Sequence, residues 1–215
     1  MMSQKTGLFR DLKRWRNRCR QERRYWRGLR DGEYVLPPPS LKLAIMMRNV
    51  PAPRPRLFIE TGTYHGDTVA AMKSHYDRVI SIEVDATLFR QACARFAGDA
   101  NVQIVHGDCI RELPGLLAQL TEPAVFWLDG HYSGSGTGQG EIAEPVLVSL
   151  DQLAGHPIKE HVIFVDDARY LDGREGRPDL AAVFAQLKQI NPHYTVRVQC
   201  DIVIATVNPI PVRTV

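Results

Sequence analysis

Between residues 57 and 165, five short apolar, β-branched runs alternate with stretches of helical periodicity, and this pattern restricts the fold more than any other. The runs lie at 57–60, 78–83, 102–106, 124–128 and 161–165; helical patterns fall at 67–75, 86–97, 109–120 and roughly 141–153. A chain that crosses back over a sheet through a helix re-enters it in the same direction, so this repetition predicts parallel strands. The end of the chain departs from it. After a helical stretch at about 179–190, the runs 194–198 and 202–207 are separated only by Gln199-Cys200-Asp201, a link that permits only an antiparallel hairpin. The predicted fold is α/β: a doubly wound sheet of five parallel strands plus a C-terminal antiparallel hairpin, with helices on both faces.

At 215 residues, 44% hydrophobic and 24% charged, the chain has material for one well-buried domain and a short appendage. No apolar run approaches the ~18 residues of a membrane-crossing helix, and the first residues lack the apolar core of a signal peptide. Cys19, Cys93, Cys109 and Cys200 are scattered, without a Cys-x-x-Cys pair, which fits reduced thiols. A cytoplasmic location is expected.

The net charge of +3 is unevenly spread. Residues 1–30 hold eleven Lys/Arg against Asp11 and Glu22, a local charge of +9 that leaves −6 for the remainder. Leu8, Leu12, Trp15, Cys19, Trp26 and Leu29 recur at helical spacing, so 1–36 reads as a basic amphipathic helix. Two readings stand: attachment to an anionic membrane surface or acidic partner, or packing of the apolar stripe on the body or on a second copy in a homodimer. Pro37-Pro38-Pro39 breaks this element, Ser40 is expected to cap a short helix through about Asn49, and a Pro-rich lead-in (37–56 overall) precedes the main domain, 57–210.

Within the main domain, successive strands end in carboxylates. The first runs into Glu60-Thr61-Gly62-Thr63-Tyr64-His65-Gly66, the second ends at Glu83, and Asp108 follows the third. Open parallel sheets bind ligands beyond the carboxyl ends of their strands. An acidic residue ahead of a Gly-x-x-x-Gly turn would repel a pyrophosphate but suit an amino or sulfonium group. Glu83 is placed to accept from ribose hydroxyls and Asp108 from an adenine amino group. Helix capping is the plain alternative for each acid. The fourth strand ends at Asp129, followed by Gly130-His131-Tyr132, and the fifth at Asp166-Asp167. Three carboxylates at one edge repel one another unless protonated or neutralised; a hard divalent cation is one solution, a metal-free site with Asp129 contacting substrate another.

Taken in order, Glu60–Gly66, Ile82-Glu83-Val84-Asp85 and Gly107-Asp108-Cys109 resemble the motifs of the class I S-adenosylmethionine-dependent methyltransferases, whose fold is Rossmann-like. The resemblance spans about residues 40–208 and implies S-adenosylmethionine as cofactor, contacted by Glu60, Thr61, Gly62, Thr63, Gly66, Thr68, Glu83, Asp108 and Asp129. The acidic edge is similar to that of the metal-dependent O-methyltransferases of the catechol and macrocin types, which implies Mg²⁺ at Asp129, Asp166 and Asp167 and O-methylation of a small hydroxylated acceptor, a sugar or natural-product intermediate. His131, with a pKa near neutrality, is the first choice for general base, and a plain loop residue is its alternative. In the catechol type a lysine stands about where Tyr132 is here, which puts the base and a catechol acceptor in doubt. Asp129-Gly130-His131-Tyr132 is not the Asn/Asp-Pro-Pro-Tyr sequence of base-amine methylation, so a nucleic-acid substrate is disfavoured. The Gly/Ser-rich 133–140 reads as a lid or as an idle loop. Two other functions remain as alternatives: a NAD-type nucleotide-binding enzyme, and a non-catalytic binding or adaptor protein.

Overall fold

The computed structural model describes residues 16, 17, 19–129, 140, 142 and 145–207. Leu8, Leu12, Trp15, His131, Tyr132 and all of the proposed lid except Gly140 therefore lie outside the described residues. The chain separates into two compact units, Met1–Met47 and Arg48–Val215.

The second unit is built on one seven-stranded sheet: β1 (Leu57–Thr61), β2 (Arg78–Glu83), β3 (Val102–His106), β4 (Val125–Leu128), β5 (Val162–Val165), β6 (Thr195–Gln199) and β7 (Ile202–Thr206). Their spatial order is β3-β2-β1-β4-β5-β7-β6. β1 to β5 are parallel, as predicted, and the terminal hairpin is present. Its second strand, β7, pairs antiparallel with β5, so β6 lies at the edge and runs in the same sense as the first five. The hairpin closes through Cys200 and Asp201, both with positive φ (47° and 67°), the pattern of a two-residue turn matched to strand twist.

Alternation along the strands sorts the core. Leu57, Ile59, Ile80, Ile82, Phe126, Leu128, Ile163 and Val165 form one buried layer with leucines and valines of α5 (Cys109–Leu117), α6 (Val146–Gly155) and α7 (Leu180–Ile190). The intervening side chains face the other way, toward α3 (Asp67–Met72) and α4 (Ala86–Arg95); Phe58 meets Tyr76, just after α3, at 5.3 Å between ring centroids. The helix expected from about residue 141 starts only at Val146, behind Pro145, whose fixed φ suits a helix start. Pro114 sits inside α5 and has no N–H for the Ile110 carbonyl. Gln152 of α6 supplies the missing donor, Nε2 to Ile110 O at 2.8 Å. At the amino end of β5, His161 is fully buried. Its Nδ1 accepts from the Ala124 amide (3.1 Å), so its Nε2 carries the hydrogen that faces His156 Nδ1 at 3.1 Å.

In the first unit, α1 covers 19–30, with 16 and 17 also helical. It ends in a left-handed Gly32 (φ 74°), with Glu33 N–H reaching Gly28 O (2.8 Å) and Gly32 N–H reaching Leu29 O (3.3 Å), the double bond pattern of a Schellman cap. Gly28 is required here, because a Cβ would lie 2.1 Å from Val35 Cγ2. The buried face differs from the predicted stripe: Tyr25 and Gly28 are buried whereas Trp26 and Leu29 are exposed. Hydrophobic spacing alone did not reveal that a glycine lets the returning chain press on the other side. α2 is Pro39–Asn49; the Pro38 carbonyl accepts its first amides, and Ser40 Oγ, expected as the cap, donates instead to Glu22 Oε1 (2.6 Å).

Candidate active site

The strand order reverses between β1 and β4, and the carboxyl ends of β1, β2, β4 and β5 flank that point, where such sheets take their ligands. The turn after β1 is built mainly from backbone. The amides of Gly62 and Thr63 both reach the Ile82 carbonyl (2.9 and 3.1 Å). Gly62 (φ 100°) and Gly66 (φ 73°) take left-handed conformations, and Tyr64 does so as well (φ 48°). A Cβ on Gly66 would lie 2.7 Å from Phe96 Cε2. That glycine is thus fixed by helix packing as well as by conformation.

Glu60 lies inside the turn, only 1% exposed. Ser81 Oγ, opposite it on β2, donates to its Oε2 (2.6 Å), and Ser81 Oγ also lies 2.6 Å from Thr63 Oγ1. Thr68 is a further hydrogen-bond partner. Burial pushes the Glu60 carboxyl up to about 8; the Ser81 and Thr68 bonds work against this, and the charges of Asp129 and Glu83 add to it. At neutral pH Glu60 is mostly protonated, and a cation brought to this edge would ionise it.

Glu83 is buried, and both its oxygens are engaged: Oε2 accepts from Tyr64 N–H (2.7 Å) and Oε1 from Asp85 N–H (2.9 Å). It ties the glycine turn to the end of β2, and each oxygen keeps a further lone pair. Asp108 caps α5 through Ile110 N–H (3.0 Å), the plain reading of that acid. Gly140 comes so close that a Cβ there would lie 2.5 Å from Asp108 Oδ2.

Asp129, Asp166 and Asp167 are brought together, each offering an oxygen within 4.8 Å of the others. Register explains this. Leu128 pairs with Val165, the Asp129 amide continues the ladder to Thr61 O (3.1 Å) and the Asp166 amide to Leu128 O (3.0 Å). Asp167 is left-handed (φ 54°, ψ 46°), and its amide donates to Asp166 Oδ1 at 2.7 Å. These acids border a cavity with Thr61, Ser149 and Tyr170, whose space of about 30 Å³ accommodates about one water or ion. An acceptor or nucleoside must sit outside it.

Two residues to which no local motif assigns a place in the site shape this cluster. Arg169 Nη1 donates to Asp167 Oδ1 (2.5 Å) and also pairs with Asp201. Asp201, at the hairpin tip, accepts the Arg169 amide on Oδ1 (2.8 Å) and the Ala168 amide on its carbonyl (2.9 Å). Burial works against the guanidinium charge, but Asp167 and Asp201 outweigh it and raise its pKa. Arg169 and Asp201 are 32 residues apart, and neither carries a local motif. Ser81 was discoverable: it is a hydroxyl inside an apolar strand, two residues before Glu83 and so on the same face.

No protein-family model matches this chain, and no curated protein matches it. Its structure is similar to solved ones. An O-methyltransferase from Bacillus cereus, solved with SAH, aligns with a TM-score of 0.55 at 14% identity, covering 86% of this chain and 90% of that one. The N-methyltransferase NodS from Bradyrhizobium japonicum gives 0.51 at 16% identity, covering 77% and 93%. Spermidine synthase from Thermotoga maritima gives 0.52 at 13%, covering 78% and 58%. The fold is the Rossmann-like one of class I S-adenosylmethionine-dependent methyltransferases, as expected, and at this identity the likeness speaks for the fold alone.

Proposed function

We propose that this protein is an S-adenosylmethionine-dependent methyltransferase that transfers the methyl group to a hydroxyl of a small acceptor, with Mg²⁺ held by Asp129, Asp166 and Asp167. The observation that carries the proposal is the meeting of these three carboxylates, within 4.8 Å, beside a glycine turn at the switch point of the sheet. Their oxygen donors and the one-ion cavity suit a hard cation. Bound there, Mg²⁺ would lower the pKa of the acceptor hydroxyl and orient its oxygen.

The chain's own groups provide binding and orientation. Thr61, Gly62, Thr63, Gly66 and Thr68 would help hold the cofactor, with Glu60 as the buried acid that would respond to its positive charge. Glu83 would offer its remaining lone pairs to the ribose and Asp108 its carboxylate to the adenine. His131, two residues beyond Asp129, receives the acceptor proton. The 30 Å³ cavity has room for about one ion, so the acceptor would lie above the acids.

A second reading has a specific observation in its favour: the Arg169 guanidinium already neutralises Asp167, so the cluster can exist without metal. Methyl transfer to a panel of sugars and hydroxylated aromatics, with labelled S-adenosylmethionine, separates the two. The proposal expects activity to vanish in chelator, return with Mg²⁺, and fall on the order of 100-fold or more in Asp166→Asn. Undiminished activity in chelator, with loss in Arg169→Gln, would establish the metal-free site. No transfer to any acceptor by a protein that binds NAD would overturn both.

A further inference from the structure

Along α1, Arg16, Arg20, Arg23, Arg27 and Arg30 follow one another at spacings of 4, 3, 4 and 3. At ~100° per residue these spacings place all five within one strip, ~21 Å long at ~1.5 Å rise per residue. All are exposed. Among the described residues, only Arg30 has a carboxylate partner, the adjacent Asp31. Glu22, the acid within the helix, stands four residues before Trp26 and seven before Leu29 and so on their side, where its Oε1 is held by the Ser40 hydroxyl (2.6 Å). Next to the arginine strip, Trp26 (58% exposed) lies ~40° beyond Arg30 and Leu29 (48% exposed) ~60° beyond Trp26 around the helix.

A row of guanidinium groups edged by an unburied tryptophan and leucine has two complementary halves. The row fits a plane of phosphates, since each guanidinium forks onto two oxygens. The apolar edge fits hydrocarbon just beneath such a plane, the depth at which tryptophan settles. A nucleic-acid backbone would satisfy the first half only and leave Trp26 and Leu29 in water. We propose that this face of α1 is a binding site for an anionic lipid surface, with the arginines at the headgroup phosphates and Trp26 and Leu29 in the acyl boundary.

The test is co-sedimentation of the full-length protein with vesicles of phosphatidylglycerol and phosphatidylcholine, against phosphatidylcholine alone. Binding is expected to the anionic vesicles, with none to the neutral ones, and to weaken as salt rises. Replacing Arg20, Arg23 and Arg27 together by alanine, which preserves helix propensity, should reduce it on the order of 100-fold. The matching triple lysine variant should stay within about threefold of the parent, because a membrane surface attracts either cation. Trp26→Phe should remove a blue shift of tryptophan emission seen on adding anionic vesicles. Equal binding by the alanine variant, loss in the lysine variant, or failure of the parent to sediment would each overturn the proposal. Binding to polyuridylate without sedimentation, or dimerisation through this face without sedimentation, would overturn it in favour of nucleic acid or a second copy. If the alanine variant loses its helical circular dichroism, the lysine variant and the emission shift decide.

Discussion

Glu60 and His161 give stability two opposed responses to pH. Burial holds the Glu60 carboxyl at about 8 against an ordinary 4.5. Between those values the folded chain keeps a proton that the unfolded chain has released, so this group's contribution falls as pH rises from about 4.5 to about 8. Burial, with the nearby His156 and Lys159, lowers His161 from 6.5 to about 4. Between those values the unfolded chain takes up a proton that the folded chain refuses, so this contribution falls as pH drops from about 6.5 to about 4. The slopes cancel between about 4.5 and 6.5, and Glu60 alone acts from there to about 8. Urea midpoints measured across pH 4–9 should therefore decline above about 6.5, and Glu60→Gln should remove that decline and unmask the His161 slope, so that stability then falls as pH drops from about 6.5. A variant that keeps the parent's alkaline decline would show that Glu60 is not the group responsible.

At the scale of elements, α5 and α6 are joined by a substitution for a missing backbone donor. Gln152 Nε2 serves the Ile110 carbonyl that Pro114 cannot. Gln152→Leu should cost about 1 kcal/mol, since a buried acceptor loses its partner. In a Pro114→Ala background, where the backbone regains its N–H, the same change should cost markedly less. A double-mutant cycle by denaturant unfolding measures this coupling, and additivity would contradict it. The pairing was invisible in the sequence because it joins residues 42 positions apart, although Pro114 itself advertised a gap. Strands were legible because β-branched runs ended in turn residues, and the order of Glu60, Glu83, Asp108, Asp129 and Asp166 predicted which edge would carry the acids. Arg169 and Asp201 were not, since their ion pair exists only once β7 lies beside β5. The leader was expected as one helix over 1–36; among the described residues the helix ends at Arg30, and its buried side was not legible, because Gly28 decides that through a close approach no hydrophobic count registers.

For the whole molecule, no helix among the described residues is long and apolar enough to cross a membrane, and charge divides the chain into a basic first segment and an acidic remainder. The acidic remainder holds the switch point, the glycine turn and the buried Glu60, an arrangement suited to a cationic nucleoside. Isothermal titration calorimetry with S-adenosylmethionine, SAH and NAD, repeated at several pH values and in buffers of different ionisation heat, tests that most directly. One S-adenosylmethionine should bind per chain and release a proton below about pH 8 as its charge ionises Glu60, so its affinity should rise toward that pH. SAH, lacking the sulfonium, should bind with less proton release, and NAD should give no heat. Heat with NAD and none with either S-adenosyl compound would contradict the account.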